Sequence, residues 1–259
     1  MPFAEFGDTR LHYRWDGPEG APVLMFSNSL GTDLAMWDAQ TAALSRKFRV
    51  LRYDTRGHGQ SSVTPGPYSM QQLGCDVAAL MDAVGVSRAH FCGLSMGGQI
   101  GMWLAGNAPE RLSKLVLCNT AAQIGNAEGW GARIETIKKD GMAAIAPQVI
   151  ERWFTSSFRE KEPAKVAAVQ KLLEATDPRG YVANCEAVRD FDYRERVEKI
   201  AVPTLVIAGS SDVATTPADA RFLVERIKGA RYIELNAAHL SNIEDEARFT
   251  KEVGDFLAS

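Results

Sequence analysis

Apolar residues in this chain cluster in short compact runs, separated by longer segments of helical spacing. The runs are "PVLMFSN" at 22–28, "FRVLRYD" at 48–54, "HFCGLS" at 90–95, "KLVLCNT" at 114–120, "TLVIAG" at 204–209 and "RYIELNAA" at 231–238. Most are near-continuous rather than alternating, the mark of strands buried on both faces, so a central parallel sheet is expected. Ahead of them "FAEFGDTRLHYRWDG" alternates and turns at Gly7-Asp8, as a hairpin does. Between the runs lie helices. Residues 69–84 place Met70, Leu73, Val77, Leu80, Met81 and Val84 on one face, with Ser69 and Gln72 as a capping box. Residues 217–228 open with Thr216-Pro217, and residues 243–257 align Phe249, Val253, Phe256 and Leu257. Alternating strands and helices predict a doubly wound α/β domain.

One region departs from that rhythm. Residues 121–202 carry no strand signal, only helical pieces punctuated by Gly125, Gly129, Gly131, Gly141, Pro147, Pro163 and Pro178. A structureless loop of that length is improbable in a compact domain. The span is expected to be a helical cap (lid) inserted into a core domain of 1–120 and 203–259, because it follows a strand whose C-terminal end should face the ligand crevice.

Bulk properties narrow the function. The 259 residues are 46% hydrophobic and 24% charged with a net charge of −3, and no charge run suggests a nucleic-acid surface. No apolar run reaches the roughly 20 residues of a membrane helix, and "MPFAEFGDTR" does not read as a secretion signal. Cys75, Cys92, Cys118 and Cys185 form no C-x-x-C pair, which favours free thiols in a reducing cytoplasm.

The chemistry centres on "GLSMG" at 93–97, a G-x-S-x-G pattern between an apolar run and a helix. In that setting it makes a nucleophile elbow, with Gly93 and Gly97 letting strand and helix approach while Ser95 points over the sheet edge. The Met96 N–H, opening the helix, can face a developing oxyanion. Serine needs a base. Of the four histidines, His12 is expected on the surface of the hairpin, and His58 sits in the loop "RGHGQS". His90 begins the serine's own strand, about 16 Å back along it. His239, after the last strand, is the best base by position. Asp212, just past "AGSS", is the best orienting acid. Asp219 is the second choice, more suited to the first turn of its helix, and position 119, the alternative place for the acid, is asparagine. The order Ser95, Asp212, His239 is one of the known triad orders.

These elements resemble the α/β-hydrolase family along essentially the whole chain, and "YDTRGHGQS" at 53–61 is similar to that family's D-x-R-G-x-G-x-S loop. Where the family usually carries His-Gly after the third strand, this chain has Asn28-Ser29, and the resemblance makes the Leu30 N–H the second oxyanion donor. Within the family, "SNSLGTD", "GLSMGG" and "NAAHLSNIE" resemble the 3-oxoadipate enol-lactone hydrolases of aromatic-acid catabolism. That resemblance implies hydrolysis of a small anionic enol-lactone through an acyl-enzyme, with no metal or organic cofactor. The substrate carboxylate then calls for an arginine: Arg133, with Trp130 and Trp153 as walls, is favoured, and Arg152 is the other candidate. General carboxylesterase, C–C bond hydrolase and perhydrolase activities, or a ligand receptor on the same fold, remain as alternatives. Dehalogenase and epoxide hydrolase chemistry is disfavoured, because those relatives carry aspartate at the elbow.

Overall fold

The computed structural model describes residues 2–259. Its eight-stranded sheet has the order β1-β2-β4-β3-β5-β6-β7-β8. The strands are β1 (Phe3–Phe6), β2 (Thr9–Asp16), β3 (Val23–Ser27), β4 (Arg49–Tyr53), β5 (Ala89–Leu94), β6 (Leu112–Cys118), β7 (Thr204–Gly209) and β8 (Arg231–Leu235). β1 and β2 form the hairpin, turning through Gly7 at φ +56°, and β2 lies antiparallel to β4. From β4 onward every pairing is parallel. All six residues of β7 are buried, which requires cover on both faces of the sheet.

The helices of the core are α1 (Asp38–Leu44), α2 (Met70–Ala83) and α3 (Met96–Asn107), and after β7 α9 (Pro217–Arg226), α10 (Ser241–Glu244) and α11 (Glu246–Ala258). α2 packs on α3, α1 packs on α11, and α3 lies along β3, β5 and β6. Ser69 caps α2 through the Gln72 N–H at 3.1 Å. The last helical pattern is broken at Asp245, whose φ −118°, ψ 54° is not helical.

Between β6 and β7 the chain forms α4 (Ala127–Asp140), α5 (Ala146–Trp153), α6 (Ser156–Lys161), α7 (Pro163–Glu174) and α8 (Pro178–Arg189), with no strand among the described residues there. α4 packs on α8, and α7 packs on α5 and α6. This helical insertion meets the rest of the molecule at very short range. A Cβ at Gly180 in α8 would lie 2.3 Å from the Gly57 carbonyl oxygen. No described helix is long and apolar enough to cross a membrane, and all four cysteines are free.

The sheet order explains where a ligand belongs. The chain runs from β3 to β4 on one side, then to β5 on the other side of β3. Loops leaving β3 and β5 therefore diverge and open a crevice at the C-terminal edge. Two glycine substitutions test how tightly the insertion sits. Gly131, in α4, has open space around it, so Gly131→Ala should raise stability by about 0.5–1 kcal/mol. Gly180→Ala should cost at least ~2 kcal/mol. Urea midpoints at constant slope measure both.

Candidate active site

Ser95 joins β5 to α3 with φ 57° and ψ −115°, a conformation that favours glycine and costs a serine about 1–3 kcal/mol. Neighbours hold it there. Its N–H donates to the Cys118 carbonyl at 2.9 Å, and its carbonyl accepts the Thr120 hydroxyl at 2.7 Å. A Cβ at Gly93 would sit 2.1 Å from the Gly97 oxygen, and one at Gly97 would sit 2.2 Å from the Ser27 oxygen. Only glycine at both places lets α3 lie this close to β5 and β3.

Asp212 follows β7 and His239 follows β8, and the structure brings them together with His239 Nδ1 2.8 Å from Asp212 Oδ2. The carboxylate is saturated. Oδ1 accepts the Ala214 and Thr215 N–H groups at 2.8 and 3.0 Å; Oδ2 also accepts the Thr215 hydroxyl at 2.7 Å and the Asn119 amide at 3.0 Å. Burial pushes the Asp212 carboxyl up, but the facing His239 charge and these hydrogen bonds outweigh it and hold it down at about 2. Asn119, at φ 43°, donates to the Ala238 carbonyl too and accepts the Ser241 hydroxyl, so it ties the Asp212 and His239 loops together. Sequence patterning did not single out Thr215 or this role of Asn119. The alternative acid, Asp219, is occupied in a capping box with Thr216 at the start of α9.

Ser95 and His239 line one cavity of about 410 Å³ with Ser29 and Leu30 from the β3 loop and Arg133, Arg152, Trp130 and Trp153 from the insertion. Neither the Leu30 nor the Met96 N–H has an acceptor among the described residues. Met96 itself does not line the cavity; its side chain is fully buried behind it. The Arg133 guanidinium stacks 4.8 Å over the Trp130 ring and lines the cavity together with Tyr181. Trp130 is fixed by its indole N–H donating to the Ile124 carbonyl at 2.7 Å. Neither Arg133 nor Arg152 has a carboxylate within ion-pair distance among the described residues. Tyr181 was not anticipated, since nothing local marks one buried α8 tyrosine as facing the crevice.

The remaining histidines differ from expectation in one respect. His12 is not on the surface: it is 2% exposed, with Nδ1 2.8 Å from Asp54 Oδ2. The β2–β4 pairing carries it beneath the 54–61 loop, which alternation in a hairpin cannot reveal. Asp54 also accepts the Leu34 and Gln60 N–H groups, at 2.8 and 2.9 Å. Arg56 forks onto Asp76 of α2 at 2.7 and 2.6 Å. The "YDTRGHGQS" segment is thus a clamp that anchors the loop after β3 to the hairpin and to α2. His90 packs edge-on against Phe48, away from the cavity residues.

A strained serine at the elbow and a buried histidine–carboxylate pair, with Ser95, His239 and Leu30 at one crevice, define the serine-hydrolase class of α/β proteins. Residues 22–246 match the family model described as the alpha/beta hydrolase fold, and the chain belongs to that family. It is 43% identical to 3-oxoadipate enol-lactonase 2 of Acinetobacter baylyi, covering 98% of this chain and 97% of that one. It is 41% identical to 3-oxoadipate enol-lactonase 1 of the same organism, covering 96% and 93%. The crystal structure of the enol-lactonase from Burkholderia xenovorans LB400 is similar over 100% of both chains, with a TM-score of 0.98 and 50% identity.

The Asp212 environment has a consequence for acid stability. Its carboxyl lies at about 2, below its ordinary 3.8, so the folded state releases the proton more readily than the unfolded chain. That contribution is complete above about pH 4 and is lost as pH falls through 2. The stability difference between the unaltered protein and Asp212→Asn should therefore shrink by about 2 kcal/mol between pH 5 and pH 2. Urea unfolding across that range measures it; a constant difference would mean the carboxylate is not held in its charged form.

Proposed function

We propose that this chain hydrolyses 3-oxoadipate enol-lactone to 3-oxoadipate by acyl transfer to Ser95. The observation that carries this reading over a general esterase is Arg133: a guanidinium lining the serine's cavity, stacked on Trp130, with no carboxylate partner among the described residues. The lactone bears a carboxymethyl anion, and a planar guanidinium in a cleft recognises a carboxylate bidentately. The whole chain carries −3, so attraction of an anion must be local. The near full-length likeness to enol-lactonases supports the same substrate.

In this mechanism His239 takes the Ser95 proton as Oγ attacks the lactone carbonyl. Asp212 fixes the tautomer that leaves His239 Nε2 free to accept, and stabilises the imidazolium that forms. The Leu30 and Met96 N–H groups receive the tetrahedral oxyanion, each worth ~3 kcal/mol in such sites. Collapse breaks the bond to the enol oxygen, which leaves with a proton from His239 and tautomerises to the ketone. Water activated by His239 then releases the second carboxylate and restores Ser95. No step requires a metal or organic cofactor. Residues 121–202 act as a cap that closes this chemistry from solvent, over a core of 1–120 and 203–259. The four free thiols support a reducing cytoplasm as the compartment.

Ser95→Ala should fold normally and form no acyl-enzyme, read by mass spectrometry after mixing with an activated ester. Asp212→Asn should lower kcat by about 10⁴. Arg133→Met should lower kcat/KM for the anionic lactone by roughly ten- to a hundredfold while leaving a neutral ester of equal size within about twofold. Equal losses on both substrates would make Arg133 structural. Faster turnover of the neutral ester by the unaltered protein would replace the lactonase reading with a general esterase.

A further inference from the structure

We infer that His58 is a positioning residue for the oxyanion hole, holding the Leu30–Gly31 segment in register by accepting the Gly31 N–H. The inference rests on the oxyanion role proposed for Leu30 and is independent of which ester or lactone is the substrate.

The geometry assigns the protons. Gly31 N–H points at His58 Nε2 from 2.8 Å, so Nε2 must be the bare nitrogen. Nδ1 then carries the hydrogen and faces the Arg56 carbonyl at 3.4 Å. Asn184 of α8 lies 3.5 Å from Nδ1, but its amide hydrogens are spent on the Arg56 and Gly180 carbonyls, both at 2.8 Å. It therefore leaves the tautomer unchanged and pins the loop that carries His58 to the helical insertion. The ring is 2% exposed, and Tyr181 of α8 lies 6.4 Å from it centroid to centroid.

Gly31 has little freedom on its other side. It sits at φ +81°, and a Cβ there would lie 2.6 Å from Leu173, 2.8 Å from Tyr181 and 3.6 Å from Trp153, all in the insertion. The segment next to the unpartnered Leu30 N–H is thus held between the insertion and a neutral imidazole. The peptide that carries the Leu30 N–H is tied through the Ser29 carbonyl, which accepts the Thr32 N–H at 3.2 Å and the Thr32 hydroxyl at 2.7 Å, and the His58 bond fixes the next peptide, so both together set the direction of the Leu30 amide. A small error in the aim of an oxyanion donor removes much of its effect, because the donor must meet the oxyanion and not the ground-state carbonyl.

Neutrality of His58 is built in. Burial pushes its imidazole down to about 4, against the Arg56 carbonyl and the Asp54 charge, which favour the proton. The other titratable groups around it are Tyr181, and His12 through its pairing with Asp54; Arg56, two residues before it, is engaged by Asp76. Since the unfolded chain takes up this proton near pH 6.5 and the folded one near 4, stability is complete above 6.5 and declines as pH falls toward 4.

The test compares His58→Gln, whose amide oxygen can replace Nε2 as acceptor, with His58→Phe, which keeps a ring and accepts nothing. Turnover of a neutral activated ester separates kcat from KM, and phenylboronic acid, which forms a tetrahedral anion on the serine, reports the oxyanion hole. His58→Phe should lower kcat about ten- to a hundredfold with KM within threefold, and weaken the boronate by a similar factor. His58→Gln should recover both to within about threefold and flatten the fall in Tm between pH 6.5 and 4.5. A folded His58→Phe with unchanged kcat, or with kcat lowered but boronate affinity intact, would overturn the inference, as would a Gln variant no better than Phe. If His58→Phe does not fold, His58→Asn, too short to reach Gly31, is read by the same criteria. Activity surviving in Ser95→Ala would instead sink the serine mechanism itself.

Discussion

The close approach of α3 to β3 and β5 is the constraint on which the rest depends. It leaves no room for a Cβ at Gly93 or Gly97, and it forces Ser95 into a left-handed backbone that a serine resists. The strain is sustained by the Cys118 and Thr120 contacts and by a sheet buried on both faces around it. In return the hydroxyl stands at the sheet's edge, and the first turn of α3 leaves the Met96 N–H without an acceptor among the described residues. Both follow from one packing distance between backbone atoms.

Around that point the site is built from loops leaving neighbouring strands, each held by buried polar contacts. Asp212 is saturated by five hydrogen-bonding groups from three loops, so the charge it presents to His239 is fixed in place and direction. Such a network is favourable only because every acceptor is matched; one missing donor would leave a buried charge uncompensated. The helical insertion joins in directly. The Leu240 N–H donates to the Trp153 carbonyl at 3.1 Å, and Glu244 accepts the Ala238 N–H at 2.9 Å as well as the Thr155 hydroxyl. The histidine loop and the roof of the cavity are therefore one hydrogen-bonded unit.

Charge is divided on the same principle. The core side of the cavity presents His239 and amides, and the insertion side presents Arg133 and Arg152. The charged groups on the two sides of the cavity thus come from different parts of the chain. The arrangement allows one side to change without dismantling the other, which fits a family whose relatives carry differing activities on one fold.

What the sequence alone determined is what local pattern encodes. Compact apolar runs marked the six parallel strands to within a few residues, because burial on both faces leaves few polar positions in most of them. G-x-S-x-G, the acid after β7 and the histidine after β8 were legible because a strand's C-terminal end has a known place in this architecture. The missing strand signal over 121–202 foretold helices for the same reason. Tertiary structure decided the remainder. His12 is buried against Asp54 because β2 pairs with β4, a contact 42 positions distant in the chain that alternation does not record. Asn119 meets Asp212 and His58 meets Gly31 across loops far apart in the chain, and Tyr181 of α8 shares the cavity with Arg133 of α4. Periodicity states which face a residue occupies on its own element; only the order of the strands and the docking of α8 decide what that face meets.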